Sequence, residues 1–210
     1  MPVNYRNLEL IQSFCKEKNH NTQLMCVTKN RSLREIQELY DFGIRIFGEN
    51  KVQEAKSKFL DSILSKIELH LIGPLQTNKV KNALQLFDII QSLDRTKLID
   101  EIVKVQKKIS VKTHSYFIQV NIGEEDQKSG VLPIGLKELY DYAINSGLKI
   151  KGLMCIPPAD LDPTIFFQKM LIMKNNLNSN LKLSMGMSQD YKLAIKYETN
   201  LIRVGSKIFE

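Results

Sequence analysis

Cysteine is scarce in this sequence and follows no disulfide or metal-binding pattern. Cys15, Cys26 and Cys155 are an odd number without CxxC spacing, which argues against a disulfide framework and against a cysteine-rich zinc site. The 3 histidines are scattered along the chain, so they do not combine into a histidine-based metal site either. We therefore expect a protein of a reducing compartment that binds no metal.

Long hydrophobic runs are also missing. No run of about 18 apolar residues occurs, and the first residues, MPVNYRNLELIQSF, lack a basic segment followed by an apolar one. We expect neither secretion nor membrane insertion, and hence a cytoplasmic protein. The 210 residues are 43% hydrophobic and 25% charged, which is typical of one soluble domain, placed here at residues 1–210.

The net charge of +7 makes an anionic partner conceivable but does not identify one. The densest basic stretches, KVKN at 79–82 and KVQKK at 104–108, carry apolar residues at helical spacing. No RRM, KH or zinc-finger signature accompanies them, so we interpret both as solvated helix faces and expect no nucleic-acid partner. An RNA-binding or anion-binding module is the alternative that this charge leaves open.

Short β-branched apolar runs alternate with longer segments of helical period along the whole chain. This pattern predicts strands at 24–28, 44–47, 69–72, 89–93, 116–121, 150–154, 181–184 and 201–204. Such an alternation is typical of a parallel sheet, whose strands are buried on both faces and therefore read as continuous apolar runs.

A closed (β/α)8 barrel of the TIM type accounts for this α/β pattern most simply. Because little chain follows residue 204, we expect a predicted helix at 5–18 to complete the outer ring of helices. A doubly wound open sheet is the alternative. It normally carries a glycine-rich turn after its first strand, where this chain has TKNRS.

Three details of the helical segments are predicted as well. Apolar residues form one helical face over 52–63. Thr164 is a candidate N-cap for a helix over 165–176. A last helix is expected over 189–197, between the seventh and eighth strands.

Functional groups in a parallel barrel gather where the strands end. Lys29 follows the first strand directly, where burial would favour the neutral amine, and a lysine so placed is a candidate for a Schiff base with an aldehyde. A strand-end lysine that merely reaches solvent is the structural alternative. His70 lies among apolar residues of the third strand, and we interpret it first as a structural histidine.

Glycine and serine follow the seventh and eighth strands, in SMGMS at 184–188 and RVGS at 203–206. Barrels of this type frequently hold a phosphate there. Glycine lets backbone N–H groups approach phosphate oxygens, and Ser188 and Ser206 can donate hydroxyl hydrogen bonds. Gln189 would open a helix whose N-terminus favours an anion. Ordinary strand-to-helix turns are the alternative reading of both segments.

Eight ordered motifs span the chain from about residue 24 to residue 209: VTKN, FGENKVQE, HLIGPLQTNK, SLDR, VNIGEEDQKSG, KGLMCIP, SMGMSQD and IRVGSKIF. In this order they resemble the pyridoxal phosphate homeostasis proteins, which are related to the barrel of alanine racemase. The resemblance implies a barrel of PLP fold type III that binds pyridoxal 5′-phosphate (PLP) and serves vitamin B6 and amino-acid homeostasis without strong catalytic turnover. It implies PLP and PLP-dependent apoenzymes as partners, and we expect a monomer.

The resemblance also assigns site residues. Lys29 matches the lysine that forms a Schiff base with PLP, and Arg203 matches the arginine that faces the pyridine nitrogen. A fixed positive charge there disfavours a protonated ring, so carbanion chemistry would be restrained. The other matches are Asn50 beside the ring, His70 and Met187 as pocket lining, and Ser188, Gly205 and Ser206 around the phosphate.

The chain departs from the family pattern at the rim of this site. A second lysine and a proline commonly follow the Schiff-base lysine, whereas here Asn30, Arg31 and Ser32 follow it. Lys51 stands in place of a common tyrosine, and Gln189 in place of an aspartate. The rival function is an amino-acid racemase, which needs a second base, usually from a second β-domain for which we expect no room in these 210 residues.

Overall fold

The structure is a computed structural model, and it describes residues 3–59 and 61–209. Over these residues the strands are β1 (Gln23–Val27), β2 (Ile46–Glu49), β3 (Glu68–Leu71), β4 (Ile89–Leu93), β5 (Ser115–Val120), β6 (Ile150–Cys155), β7 (Lys182–Met187) and β8 (Leu201–Val204). The α-helices in the same residues are α1 (Tyr5–Lys18), α2 (Leu33–Asp41), α3 (Val52–Lys58), α4 (Asp61–Leu64), α5 (Val80–Leu86), α6 (Thr96–Gln106), α7 (Leu136–Asn145), α8 (Pro163–Leu177) and α9 (Tyr191–Ala194). Short 3₁₀ turns cover Thr77–Lys79, Pro133–Gly135, Ile195–Tyr197 and Ser206–Ile208.

The strands form a closed barrel in sequence order, and each is parallel to the next. β8 closes the barrel by pairing with β1, where Val204 lies opposite Cys26. The predicted TIM-type barrel is confirmed, and the open-sheet alternative is wrong. Because every strand runs in the same direction, all the carboxyl ends lie at one end of the barrel.

The strands bury side chains on both faces. Outward-facing residues join one large apolar layer beneath the helices, and a smaller cluster of Ile89, Phe117 and Met154 fills part of the interior. Polar side chains occupy another part of the barrel interior. β4 and β7 are not neighbours, so the hydrogen bond of 2.7 Å from the Ser184 hydroxyl to Gln91 Oε1 crosses the barrel interior.

Helix α1 has the bounds predicted from the sequence and completes the outer ring. The Asn4 side chain caps it by accepting a hydrogen bond of 3.0 Å from the Asn7 N–H. The Asn4 N–H itself donates to the Ile208 carbonyl at 2.7 Å, so the helix begins against the segment that follows β8. It also contacts β1, and its buried face is formed by Leu8, Ile11 and Cys15.

Two predicted helix details are wrong. The helical face over 52–63 divides into α3 and α4, because Phe59 is extended with φ −90° and ψ 114°. The N-cap of α8 is Asp162, whose carboxylate accepts a hydrogen bond of 3.0 Å from the Thr164 N–H. Pro163 occupies the first helical position, where its missing N–H has no partner to lose and its fixed φ suits the helix.

The described residues include no helix that combines the length and the apolar character needed to cross a bilayer. Cys15, Cys26 and Cys155 are buried and unpaired. Burial raises the pKa of the Cys15 thiol to about 11. A buried thiol of this kind stays protonated at neutral pH and is a poor nucleophile.

Candidate functional site

The loops after β1, β7 and β8 meet at the carboxyl end of the barrel. β8 lies between the other two strands and pairs with both. The Gly205 N–H donates a hydrogen bond of 3.4 Å to Ser188 Oγ, which joins the loops after β8 and β7. A Cβ added to Gly205 would lie 3.1 Å from the Val27 carbonyl oxygen, so the loop after β8 also packs on the end of β1. Lys29 follows Val27 by two residues.

Lys29 lies in a tight turn that the neighbouring residues hold in place. β1 ends at Val27, so Lys29 stands beyond the buried strand and is exposed; the expected burial is wrong. Asn30 adopts a left-handed conformation with φ 60°, and its N–H donates to Glu54 Oε1 at 2.5 Å. The Arg31 N–H donates to the Thr28 carbonyl at 3.0 Å and closes the turn.

A buried ion-pair network supports this turn from below. The Thr28 hydroxyl donates to Glu49 Oε1 at 2.6 Å, and Lys58 Nζ donates to the Thr28 carbonyl at 2.8 Å. Lys58 Nζ also lies 3.2 Å from Glu49 Oε1 and forms an ion pair with Glu54. Burial raises the pKa of the Glu49 carboxyl, while Thr28 and Lys58 act against that shift. The sequence alone does not predict this network; the spacing of Glu54 and Lys58, four residues apart on α3, favours only the ion pair between those two residues.

The turn after β7 presents Ser188. Gly186 has φ +92°, and a Cβ added there would lie 2.6 Å from the Ala194 Cβ, so only glycine allows α9 to pack this closely on β7. The Met187 N–H donates to Asp190 Oδ1 at 2.5 Å and closes the turn. As a result Ser188 is buried and faces Gly205.

The helix expected from residue 189 begins later. α9 starts at Tyr191 and has 4 residues, followed by a 3₁₀ turn over Ile195–Tyr197. Gln189 therefore lies in the preceding turn and does not open a helix, so the predicted helix-terminal contribution to anion binding is wrong. Ser206, the first residue of the 3₁₀ turn Ser206–Ile208, is exposed.

Arg203 is buried in the wall of the barrel at 3% exposure. Its Nη1 donates to the Ser184 carbonyl at 2.6 Å and to Ser184 Oγ at 2.9 Å, and its Nη2 donates to the Cys155 carbonyl at 2.7 Å. Burial lowers the pKa of the guanidinium from its usual value. None of the ion pairs among the described residues includes Arg203, and its guanidinium donates to backbone carbonyls and a hydroxyl instead.

The remaining predicted residues lie along the same end or deeper inside. Asn50 is half-buried after β2, and its backbone packs so tightly on the next loop that a Cβ at Gly73 would lie 2.2 Å from the Asn50 carbonyl oxygen. Met187 is half-buried at the end of β7. His70 is buried, and hydrogen bonds to Glu68 and Gln91 occupy both of its ring nitrogens. His70 can thus line a pocket only with its carbon atoms.

Comparison with known proteins places this barrel in a family. Residues 5–210 match the family model described as "Alanine racemase, N-terminal domain". A pyridoxal phosphate homeostasis protein from Aquifex aeolicus is 36% identical, over 97% of this chain and 94% of the relative. The chain belongs to the pyridoxal phosphate homeostasis protein family. The resemblance read from the eight sequence motifs is confirmed.

Solved structures agree with this membership of the pyridoxal phosphate homeostasis family. PipY of Synechococcus elongatus PCC7942 without PLP has a TM-score of 0.87 and 31% identity, over 98% of this chain and 99% of that chain. PipY with PLP bound has a TM-score of 0.83 and 30% identity. Alanine racemase from Acinetobacter baumannii shares the fold, with a TM-score of 0.77 at 15% identity, but this chain covers 62% of its length.

The departures from the pyridoxal phosphate homeostasis pattern have structural explanations near Lys29. Ser32 caps α2: its side chain accepts from the Glu35 N–H, while the Glu35 carboxylate accepts from the Ser32 N–H at 2.7 Å. Arg31 lies over the Phe209 ring at 4.2 Å from its centroid. Both residues thus tie the turn to neighbouring elements.

Proposed function

We propose that this protein binds PLP at the carboxyl end of the barrel, attached to Lys29, and holds it for vitamin B6 and amino-acid homeostasis without rapid turnover. Family membership and the PLP-bound PipY structure support the ligand class. The observation that carries the proposal is the meeting of three loops. Ser188 contacts Gly205, and Gly205 packs on the end of β1, two residues from Lys29.

The donor groups at this place fit a phosphorylated aldehyde. A phosphate dianion needs N–H and O–H donors, which Ser188, Gly205 and Ser206 supply from two adjacent loops. The Ser188–Gly205 hydrogen bond of 3.4 Å is long, so a phosphate oxygen can replace it at small cost. Lys29 is exposed beside these loops and supplies a primary amine.

PLP would supply an aldehyde for reversible attachment, with loss of one water as the Lys29 amine condenses with it. The protein's own contribution is to place the groups. Lys58 and Glu49 fix the turn that carries Lys29, and the serine and glycine donors fix the phosphate. Arg203 holds a positive charge within the barrel wall and opposes protonation of a pyridine nitrogen beside it. This arrangement favours holding PLP over carbanion chemistry.

The finer features of this function are also part of the proposal. We infer delivery of PLP to PLP-dependent apoenzymes, a monomeric state, a cytoplasmic location and a single domain over residues 1–210. Asn50, Met187 and His70 are assigned to the pocket by the family resemblance alone. Size-exclusion chromatography with light scattering tests the monomer, and transfer of PLP to a PLP-free enzyme, followed by recovery of that enzyme's activity, tests delivery.

The deciding experiment is reduction with borohydride. Purified protein mixed with PLP should give an absorbance band that borohydride abolishes, while the reduced cofactor mass becomes attached to the peptide that contains Lys29. Lys29→Ala should lose the band and the adduct. Lys51→Ala, which removes an exposed lysine in the next loop, is the matched control and should keep both. An adduct on another lysine, or an adduct retained by Lys29→Ala, would overturn the assignment.

A further inference from the structure

One chain of hydrogen bonds runs through the barrel interior from Arg203 to Glu68. Arg203 Nη1 donates to Ser184 Oγ at 2.9 Å, and the Ser184 hydroxyl donates to Gln91 Oε1 at 2.7 Å. Gln91 Nε2 and His70 Nδ1 are 2.7 Å apart, and His70 Nε2 and Glu68 Oε1 are 2.6 Å apart. Each of the first four is the third residue of its strand, on β8, β7, β4 and β3. The hydrogen-bond chain thus crosses the barrel through side chains that are at most 3% exposed, and it ends at Glu68.

The direction of donation along this chain is fixed at both ends. The guanidinium of Arg203 can only donate, and the ionised carboxylate of Glu68 can only accept. Ser184 must therefore accept from Arg203 and donate to Gln91. Gln91 in turn presents its amide N–H to His70 Nδ1, and His70 carries its proton on Nε2, facing Glu68. Every donor points from Arg203 toward Glu68.

Protonation of His70 would break this order. A proton on Nδ1 would force the Gln91 amide to turn, with its oxygen toward His70 and its NH₂ toward Ser184. Ser184 Oγ would then face two donors, Gln91 and Arg203. The hydroxyl hydrogen of Ser184 would have no acceptor within the hydrogen-bond chain. In a buried site an unmade hydrogen bond of this kind is costly. The neutral imidazole is therefore part of the arrangement that holds Arg203.

The hydrogen-bond chain ends near solvent, at Glu68. Glu68 lines a groove of about 400 Å³ at the amino end of the barrel, together with Lys151, His114 and Asp88. Lys151 Nζ lies 3.9 Å from Glu68 Oε2. The hydrogen bond from His70 lowers the pKa of Glu68 to about 2, and burial lowers the pKa of His70 despite the two acidic groups nearby. Both shifts agree with a carboxylate that accepts from a neutral imidazole.

We propose that His70, Gln91 and Ser184 are positioning residues, which hold the Arg203 guanidinium in place from inside the barrel and so set the protonation state of the pyridine nitrogen of bound PLP. The ligand part of this inference rests on the proposed function. Glu68 acts at the opposite end of the barrel by fixing the His70 tautomer. None of these four side chains needs to touch PLP for this role.

The first test examines the hydrogen-bond chain in the protein without PLP. The sequence has 3 histidines, so ¹⁵N spectra of their rings are simple, and His70→Gln assigns the His70 resonances. In the wild-type protein His70 should be neutral with its proton on Nε2 from about pH 5.5 to 8, the range in which exposed histidines titrate. Gln91→Glu, which places an acceptor beside Nδ1, should leave His70 doubly protonated at pH 7. A wild-type His70 with its proton on Nδ1, or one that becomes doubly protonated within this pH range, would overturn the proposal.

The second test measures the protonation of the pyridine nitrogen in bound PLP that carries ¹⁵N at this atom. This nitrogen should be unprotonated in the wild-type protein at pH 7, whereas in Gln91→Leu, which removes the acceptor of the Ser184 hydroxyl, and in Ser184→Ala its proton affinity should rise about tenfold, or one pH unit. Met154→Leu, a change of similar volume in the apolar part of the interior, is the control and should leave it unchanged. Ser184→Ala keeps the test decisive if Gln91→Leu does not fold.

The two tests separate the two proposals. If the wild-type protein forms no borohydride-reducible adduct, the PLP function fails, while the His70 spectra still decide whether the chain is arranged as described. If PLP binds and neither variant changes the protonation of the ring nitrogen, the positioning role is refuted and the PLP function stands.

Discussion

Lys58 Nζ donates a hydrogen bond of 2.8 Å to the backbone carbonyl of Thr28, the residue that precedes Lys29. These two residues are 30 positions apart in the sequence. The same ammonium group lies against the buried carboxylate of Glu49, which in turn accepts from the Thr28 hydroxyl. The place of Lys29 is thus set by the loop after β2 and by helix α3, as well as by its own strand.

Removal of Lys58 should destabilise the protein more than an ordinary surface change. Lys58→Met leaves the buried Glu49 carboxylate without its cation, and breaking a buried pair in this way costs about 3–5 kcal/mol. Urea unfolding measures the loss. Lys56→Met on the exposed side of the same helix is the matched control, with an expected change within about 0.5 kcal/mol. The double variant Lys58→Met/Glu49→Gln should recover part of the loss. Equal stability of the two single variants would contradict the network.

The phosphate assignment predicts a selective loss of affinity. Each hydrogen bond to a charged group is worth about 1.5–3 kcal/mol, which corresponds to about one to two decades in Kd. Ser188→Ala combined with Ser206→Ala should therefore weaken PLP binding strongly and unphosphorylated pyridoxal binding little. Competitive titration with the two aldehydes makes the comparison. Equal losses for both would mean that these serines do not contact the phosphate.

Variants of two glycines with positive φ distinguish the effect of backbone strain from the effect of moving the loop that is proposed to bind the phosphate. Gly43 has φ +105° and open space around it, so Gly43→Ala should cost only the strain of the left-handed backbone, about 1–2 kcal/mol. In Gly186→Ala the new Cβ also meets Ala194, which must push α9 away from β7 and move Ser188. We expect both variants to lose stability, but only Gly186→Ala to lose PLP affinity. Unchanged affinity in Gly186→Ala would argue against a phosphate site in this turn.

Stability should fall in acid partly through Glu68. Its pKa is about 2 in the folded protein, against an ordinary value of 4.5, because His70 donates a hydrogen bond to it. A lowered carboxyl pKa contributes stability that is present above about pH 4.5 and is lost as the pH falls toward 2. The lowered pKa of His70 acts in the same direction, starting below its ordinary value of 6.5.

Urea unfolding at a series of pH values tests this dependence. The free energy of unfolding of the wild-type protein should fall more steeply between about pH 4.5 and pH 3 than that of Glu68→Gln. Glu124→Gln, which removes an exposed carboxylate, should keep the wild-type slope. A wild-type slope in Glu68→Gln would show that this carboxyl is not perturbed.

Holding PLP without rapid turnover can be separated from racemisation. In the proposed site Arg203 opposes protonation of the ring, and a positioned second base would be worth about 10² to 10⁴ in rate. Incubation of the PLP-loaded protein with L-alanine or L-serine in deuterated water should release PLP with negligible exchange at Cα and no change in the enantiomer ratio. Racemisation at about 10 per second, an ordinary turnover number, would favour the racemase instead.

The sequence alone determined the architecture and most of the candidate site. Helical and strand periods are local properties, so the alternation of elements, the bounds of α1, β4 and β8, and the placement of Lys29, Ser188 and Gly205 at strand ends could be read from residue spacing. The order of the strands in a closed barrel then requires the loops after β1, β7 and β8 to be neighbours. The sequence does not identify the cap of α8, because Asp162 and Thr164 are both good capping residues and only backbone geometry separates them.

Tertiary structure decided which polar strand residues meet inside the barrel. Strands buried on both faces do not alternate between apolar and polar residues, so the sequence does not tell whether Gln91 or Ser184 points inward. Their hydrogen bond joins residues 93 positions apart, and the bond between Gln91 and His70 joins residues 21 apart. Such contacts depend on the register of strands around the barrel. For the same reason the sequence predicts a structural histidine at position 70 but not its two partners, Glu68 and Gln91.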